Sequence, residues 1–208
     1  MTKSRGGKKL TPLQRRARHV ARRVVLGVIV AAAVGALIAA DRLGVFGRAD
    51  VEKYHKASFR VVRVIDGDTM DVDIPDTNGR PTRVRLWGVD TPETKKPETP
   101  PQYFGEEATD FTRRESLGKT VRLELEPNGK SRGGYGRLLA WVYLPDGRLL
   151  NSMLIEKGYG YADPRYEHHL YDNFRTLQRE ARKARRGLWK DLTEKDLPYY
   201  YKEGKHRL

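Results

Sequence analysis

Acidic and hydroxyl side chains stand in two short clusters that could bind a metal ion. The first is Asp66-Gly67-Asp68-Thr69 and the second is Asp90-Thr91-Pro92-Glu93. A hard cation such as Ca²⁺ takes about 6 to 8 oxygen ligands, so two carboxylates, one carbonyl and several waters would make a weak but workable site. Each cluster alone also has a structural interpretation, because Asp-Gly is typical of turns and Asp-Thr-Pro-Glu could cap a helix or start a loop.

Two arginines near these clusters have the chemistry to hold a phosphate. Arg85 lies five residues before Asp90, and Arg137 stands in the segment Tyr135-Gly136-Arg137. A planar guanidinium can donate two parallel hydrogen bonds to a phosphate and stabilise the negative charge that develops on its oxygens during phosphoryl transfer. The alternative is that both are exposed strand residues, as most arginines are, in a chain with 41 Lys and Arg residues.

Short segments rich in β-branched residues surround these positions and predict five strands. The predicted strands cover residues 58–65, 69–74, 82–87, 120–125 and 138–144. The turn residues Asp76-Thr77-Asn78-Gly79 predict that the second and third strands form a hairpin.

Helical spacing of apolar residues predicts three helices in the same part of the chain. They cover residues 104–117, 151–157 and 170–188, with Gly158 and Gly187 placed to end the last two. The order predicts an α+β fold that is mainly β: a five-stranded OB-type barrel with a helix inserted after strand 3 and two C-terminal helices. Barrels of this type often bind nucleic acid, although a fold does not fix a function.

The first forty residues predict one N-terminal transmembrane helix. Residues 1–23 contain nine Lys or Arg and no acid, and residues 24–40 form an uncharged apolar run of seventeen. At about 1.5 Å per residue the run would measure roughly 25 Å, near the lower limit for a hydrocarbon core of about 30 Å. The positive-inside tendency makes residues 1–23 a cytoplasmic tail and places the rest on the extracytoplasmic side. A cleaved signal peptide, with secretion of the remainder, and a buried helix of a soluble protein are the alternatives.

Composition limits the remaining possibilities. Residues 41–57 are interpreted as a linker, residues 58–191 as the folded domain and residues 192–208 as a C-terminal tail. The net charge is +14, but residues 1–23 carry nine of those charges and leave +5, so the charge of the whole chain argues only weakly for nucleic-acid binding. There is no cysteine, which excludes disulfides, thiolate metal sites and cysteine nucleophiles.

Three motifs in fixed order resemble the signature segments of the thermonuclease family, whose staphylococcal member is the best known. They are IDGDT, RLWGVDTPE and YGR, and the resemblance continues in LIEKGYGYA and ARKARRGLW. It extends over about residues 58–190, essentially the whole predicted domain. Three ordered motifs are far more specific than one.

The resemblance implies a calcium site with a general base beside it. Asp68 and Asp90, together with the backbone carbonyl of Thr91, correspond to the calcium ligands of the family. Glu93 corresponds to the glutamate that is usually assigned as general base for the attacking water.

The resemblance also implies the residues that contact substrate. Arg85 and Arg137 correspond to the arginines that bind the reacting phosphate. Tyr135 is a candidate for stacking on a base, and Tyr166 is the best match to tyrosines that hold nucleotide, with Tyr159 and Tyr161 as looser matches. Arg132-Gly133-Gly134 precedes Tyr135, so the lysine that often neighbours this tyrosine is absent, which predicts a different contact with the terminal phosphate.

The function implied is a calcium-dependent endonuclease that hydrolyses DNA and RNA by in-line attack of a metal-positioned water and leaves 3′-phosphate ends. The alternatives are a non-catalytic OB-fold module that binds single-stranded nucleic acid, and an envelope-tethered scaffold with a vestigial site. Glu93 beside Arg85 and Arg137 favours the enzyme, because a binding module has no need of a carboxylate that repels phosphate. The expected partners are nucleic acid and, through the N-terminal helix, a membrane; no obligate protein partner is evident.

Overall fold

A computed structural model describes residues 12–42, 45–76, 78–94, 100–126 and 129–202. The chain forms two compact units, Met1–Arg48 and Ala49–Leu208. Helix α1 (Pro12–Arg42) lies in the first unit, and helix α2 (Val45–Tyr54) begins there and continues into the second.

The predicted N-terminal span is described only in part. Residues 36–40 of the run 24–40 are described without their side chains. Residues 1–11 and 203–208 of the predicted tails, and Thr77 of the predicted turn, lie outside the described residues. Within the part that is described, no helix has an apolar stretch of the length needed to cross a membrane.

The second unit is built on a closed five-stranded barrel. Its elements after α2 are β1 (Ser58–Asp66), β2 (Thr69–Pro75), β3 (Pro81–Leu86), β4 (Val89–Asp90), α3 (Gly105–Ser116), β5 (Thr120–Glu124), β6 (Leu138–Tyr143), α4 (Leu150–Glu156), β7 (Tyr161–Ala162) and α5 (Tyr171–Lys183). The barrel order is β1-β2-β3-β6-β5, with β5 pairing back to β1. The β3–β6 pair is parallel and the other pairs are antiparallel. The predicted α+β barrel, with a helix inserted after its third strand and helices after its last, is confirmed.

Alternation along β3 places an arginine opposite the core. Thr82, Val84 and Leu86 are buried, whereas Arg83 and Arg85 point to the other face of the strand. The barrel interior is filled by apolar side chains from all five strands, including Val61, Met70, Leu123 and Leu138. The strand that contributes to the core therefore also presents Arg85 to the region where β4 begins.

The last long helix is shorter than predicted, and Gly187 does not end it. Helix α5 ends at Lys183, and Gly187 begins a 3₁₀ helix, Gly187–Lys190. A Cβ at Gly187 would lie 2.2 Å from the carbonyl oxygen of Gly158, and both glycines have positive φ. The chain needs glycine at both positions because two backbones meet there. Gly158 also directly follows the C-cap residue of α4, Lys157, as predicted, whereas at Gly187 the glycine reflects the close approach alone.

Ordered structure extends on both sides of residues 58–191. Residues 41–57, expected to be a linker, contain the whole of α2. Tyr54 on that helix is fully buried, with its hydroxyl 3.0 Å from Oγ1 of Thr82. Residues 192–202, expected to be tail, contain a 3₁₀ helix, Glu194–Asp196, and helix α6 (Tyr199–Lys202). Tyr200 and Tyr201 are buried against Trp189 in a second apolar cluster. Such short elements leave no periodic pattern in the sequence.

Candidate active site

Asp68 connects the two acidic clusters. It is fully buried at the start of β2, and its Oδ2 accepts hydrogen bonds from the backbone nitrogen of Thr91 at 2.8 Å and from the Thr91 hydroxyl at 3.1 Å. A Cβ at Gly67 would lie 2.8 Å from that hydroxyl oxygen, so the first cluster can pack against the second only with glycine at this position.

Arg85 bridges the two aspartates. Its guanidinium forms ion pairs with Asp68 and Asp90 and also donates to the carbonyl of Val89 at 3.3 Å. Burial is the largest single influence on the pKa of Arg85 and lowers it, but the attractions of Asp68, Asp90 and Asp66 together outweigh burial and raise this pKa. Burial likewise raises the pKa of Asp68, and Arg85 opposes that shift.

Asp90 is held from several directions. Oδ2 accepts a hydrogen bond from the hydroxyl of Tyr200 at 2.8 Å, and Oδ1 lies 3.2 Å from Nη2 of Arg165 and also faces Arg85. Arg165 is fixed in turn by Asp163, whose Oδ1 accepts from Nε at 2.8 Å. Burial first, and then the negative charge of Asp90, raises the pKa of Tyr200 well above its ordinary value, so the phenol keeps its proton and remains a donor.

Glu93 and Arg137 complete the cluster through electrostatics. Glu93 is half-buried; burial first, and then the charge of Asp66, raises its pKa, while Arg85 and Arg137 act in the opposite direction. Within the described chain the half-buried Arg137 has no ion pair, and its buried Nε has no hydrogen-bond partner. Its guanidinium lies 5.5 Å from the ring of Tyr135. Arg137 is therefore free to bind an anion.

Comparison with known proteins places this site in a family. Residues 83–191 match the family described as staphylococcal nuclease homologue. The chain is also 38% identical over 149 residues to the thermonuclease of Staphylococcus hyicus, a match that covers 70% of this chain and 83% of the relative. The chain belongs to the staphylococcal nuclease family.

Two further relatives agree with this assignment. The thermonuclease of Staphylococcus intermedius is 41% identical over 139 residues, covering 64% of this chain and 76% of the relative. An uncharacterized endonuclease of Escherichia coli is 38% identical over 133 residues, covering 64% of this chain and 76% of the relative. In this member of the staphylococcal nuclease family, residues 192–198 and helix α6 lie after residue 191, where the match to the family description ends.

The fold brings together six of the eight residues singled out in the sequence. Asp68, Arg85, Asp90 and Thr91 are joined by direct contacts. Glu93 interacts with this group and with Arg137 through charge. Tyr135 beside Arg137 is 89% exposed and Tyr166 beside Arg165 is 61% exposed, as binding residues for a base would have to be.

The two looser tyrosine candidates pack into the protein. Tyr159 stacks on Phe111 with ring centroids 4.4 Å apart, and Tyr161 is buried against Trp189 and Tyr201. Both rings pack against the apolar clusters, with Tyr161 buried and Tyr159 half-buried.

Three residues of the site are not assigned by sequence reasoning. Asp66 belongs to the first cluster, and its Oδ1 accepts a hydrogen bond from the backbone nitrogen of Asp68 at 3.3 Å. Arg165 and Tyr200 both contact Asp90, from positions outside every motif. Only Asp66 had a signal in the sequence, because it lies in the IDGDT segment.

The oxygen donors of the site fit a hard cation. Asp68 and Asp90 supply carboxylates and Thr91 a backbone carbonyl, which is the ligand chemistry that Ca²⁺ prefers. In the described chain, no three side chains from His, Cys, Asp and Glu are grouped as a metal site. A cation would therefore depend on the Thr91 carbonyl and on water, and it would share the two carboxylates with Arg85.

Proposed function

We propose that this member of the staphylococcal nuclease family is a Ca²⁺-dependent endonuclease that cuts DNA and RNA and leaves 3′-phosphate ends. Nuclease activity on nucleic acid follows from the family and from its thermonuclease and endonuclease relatives, and the family uses a metal ion. The observation that carries the proposal is that Arg85 joins the carboxylates of Asp68 and Asp90 in one cluster, with the backbone of Thr91 bonded to Asp68.

The metal-binding part of the proposal rests on three residues. Asp68, Asp90 and the carbonyl of Thr91 would hold the cation, which supplies Lewis-acid and template chemistry when it is bound. Ca²⁺ suits this set because its coordination is flexible and accepts several waters, whereas Mg²⁺ demands near-ideal octahedral geometry.

The side chains divide the remaining work. Glu93 accepts a proton from the attacking water at its carboxylate, and burial raises the pKa of Glu93, which makes the carboxylate a stronger base. Arg137, with no ion pair in the described chain, binds the phosphate. Arg85, which pairs with Asp68 and Asp90, contributes a second guanidinium. The arginines stabilise the charge on phosphate oxygens as the 5′ oxygen leaves.

The rival function is a barrel that binds single strands without cutting them. Exposed Tyr135 and Tyr166 would suit either function, since both need a surface for bases. The half-buried carboxylate of Glu93 distinguishes the two, because it would weaken phosphate binding unless it serves the chemistry.

The test is digestion of single-stranded DNA, duplex DNA and RNA by the full chain, with Ca²⁺ and with chelator. Glu93→Gln should lower the rate about 10²- to 10⁴-fold, and Glu106→Gln, which alters an exposed carboxylate on α3, should leave it unchanged. Products should require phosphatase before their 3′ ends can be extended. Binding with no cleavage in any lane would establish the binding module instead.

We also propose that residues 24–40 anchor the chain in a membrane with Ala49–Leu208 on the extracytoplasmic side. Support comes from the basic residues before this run, from the absence of charge within it, and from the exposed apolar side chains of its described part, Val24 to Val34. The test is fractionation of cells followed by protease treatment from outside. A soluble secreted product that starts after residue 40 would establish signal cleavage instead.

A further inference from the structure

The segment after the matched residues reaches back to the active site. The family match ends at residue 191, and residues 192–202 fold against Trp189 and Tyr161. Helix α6 within this segment carries Tyr200, whose hydroxyl contacts Asp90 across 110 residues of sequence.

The hydroxyl of Tyr200 acts on one oxygen of Asp90 that the arginines do not use. Tyr200 donates to Oδ2 at 2.8 Å, whereas Arg85 and Arg165 both face Oδ1. With both oxygens held, the carboxylate of Asp90 cannot rotate freely about its Cβ–Cγ bond. A fixed orientation lowers the entropy that the carboxylate loses when it binds a cation.

The Tyr200 ring is itself fixed. It is 2% exposed, its centroid lies 4.8 Å from that of Tyr201, and the Arg165 guanidinium lies 4.5 Å from the ring. Arg165 thus contacts both the carboxylate and the tyrosine that orients it. This arrangement makes a rigid support, as the groups that orient metal ligands commonly are.

We propose that Tyr200 is a positioning residue that orients the Asp90 carboxylate for Ca²⁺, so that the C-terminal segment 192–202 sets the metal affinity of the site. The inference rests on the proposed function, because it requires Asp90 to be a metal ligand. Partners that orient a metal ligand typically contribute about 10- to 100-fold in metal affinity.

Tyr201 is the matched control for this inference. It lies next to Tyr200, is buried in the same cluster, and donates its hydroxyl to the carbonyl of Ala162 at 2.8 Å without touching Asp90. The Tyr201 hydroxyl also accepts a hydrogen bond from Nε2 of Gln178 at 3.2 Å, so Tyr201→Phe loses at least as many hydrogen bonds as Tyr200→Phe. Only the loss at Tyr200 changes the site.

The experiment is a calorimetric Ca²⁺ titration of the chelator-treated full chain in detergent, for wild type, Tyr200→Phe and Tyr201→Phe. We expect Ca²⁺ affinity to fall at least about 10-fold in Tyr200→Phe and to stay within twofold in Tyr201→Phe. The Ca²⁺ concentration for half-maximal cleavage should shift by the same factor, with kcat at saturating Ca²⁺ nearly restored. Thermal unfolding in chelator checks that both variants are folded.

Two outcomes count against the proposal and are distinguishable. Equal Ca²⁺ affinity in Tyr200→Phe and wild type, or an equal loss in both variants, would overturn the positioning role alone. Failure of the wild type to bind Ca²⁺ would overturn the proposed metal site and the inference with it. If Tyr200→Phe does not fold, Tyr200→His is titrated in its place, because histidine keeps a ring and a hydrogen-bond donor. The proposal then fails unless Tyr200→His retains part of the wild-type Ca²⁺ affinity.

Discussion

Arg85 and Arg137 are both proposed to bind the reacting phosphate, yet their surroundings differ. Arg85 forms ion pairs with Asp68 and Asp90, and its side chain is only 12% exposed. Arg137 has no ion pair in the described chain. Loss of Arg85 therefore leaves the buried Asp68 without its ion-pair partner and Asp90 with Arg165 alone. Loss of Arg137 breaks no ion pair of the described chain.

Arg137→Ala should impair catalysis with little effect on folding. We expect kcat to fall about 10²- to 10³-fold, as on removal of one donor to transition-state charge, while the free energy of unfolding changes by less than about 0.5 kcal/mol. Cleavage kinetics at saturating Ca²⁺ and urea unfolding are the two measurements. A loss of stability comparable with the loss of catalytic free energy would show that Arg137 has a structural role.

Arg85→Ala should destabilise the fold, and Ca²⁺ should offset part of the loss. Removing one partner from a buried ion pair costs about 3–5 kcal/mol, because here the carboxylate of Asp68 stays buried without a counter-charge, although Asp90 keeps Arg165. Bound Ca²⁺ would supply that charge, so the difference in unfolding free energy between variant and wild type should shrink when chelator is replaced by Ca²⁺. If the difference is the same in both conditions, the cation does not bind at Asp68 and Asp90.

The sequence identified the residues of the site that belong to contiguous motifs. Asp68, Thr91 and Glu93 lie in runs whose residue types already indicate metal and phosphate chemistry. Arg165 and Tyr200 could not be found in this way, since their contacts with Asp90 exist only once β7, α5 and α6 have packed. Tyr161 shows the reverse: its position in a family-like segment suggested nucleotide binding, but an aromatic cluster buries it.

At the scale of elements, α2 holds the loop that carries Arg137. Asp50 on α2 accepts hydrogen bonds from Nε and Nη2 of Arg132, both at 2.9 Å, and from the hydroxyl of Ser131 at 2.7 Å. Arg132 in turn donates to the carbonyl of Gly136 at 3.0 Å and to Asp76. Arg132, in the segment before Tyr135 from which the family's lysine is absent, thus supports the loop.

Asp50→Asn should loosen this loop. We expect a loss of about 1.5–3 kcal/mol in unfolding free energy, typical of hydrogen bonds to charged groups, and a lower kcat because Arg137 is less well placed. Asp110→Asn is the control, since it removes an exposed ion pair with Arg113 on α3 and should change neither quantity appreciably. An unchanged kcat in Asp50→Asn would mean that the loop is positioned without α2.

The barrel elements could be predicted because each has a long enough pattern. Strand β1 begins at Ser58 and α3 covers Gly105–Ser116, each within a residue of the sequence-based boundary. Helices α2 and α6 could not, because they are short and bury one or two aromatic residues each, Tyr54 on α2 and Tyr200 and Tyr201 on α6, instead of a repeated apolar stripe. Local periodicity carries no information about such contacts.

At the scale of the whole molecule, charge and catalysis belong to different parts of the chain. Residues 1–23 carry nine basic side chains, whereas every residue of the candidate site lies in the unit Ala49–Leu208. The basic tail can attract a long polyanion, but it supplies no group to the chemistry. Varying the substrate length and the salt concentration should therefore separate the effect of the basic tail on substrate binding from the effect of the site on cleavage.

Truncation tests this separation. Residues 42–208 should cleave a short oligonucleotide with the kcat/KM of the full chain, whereas residues 58–208 should be less stable and less active, because they lack Asp50 and the buried Tyr54. Losing a buried aromatic side chain alone costs about 3–5 kcal/mol.

On long DNA at low salt the full chain should have a lower KM than residues 42–208, and the difference should vanish at high salt as counterions screen the tail. If residues 42–208 lose activity on the short oligonucleotide, the first unit contributes to the site. If residues 42–208 and 58–208 are equally stable, α2 does not support the barrel.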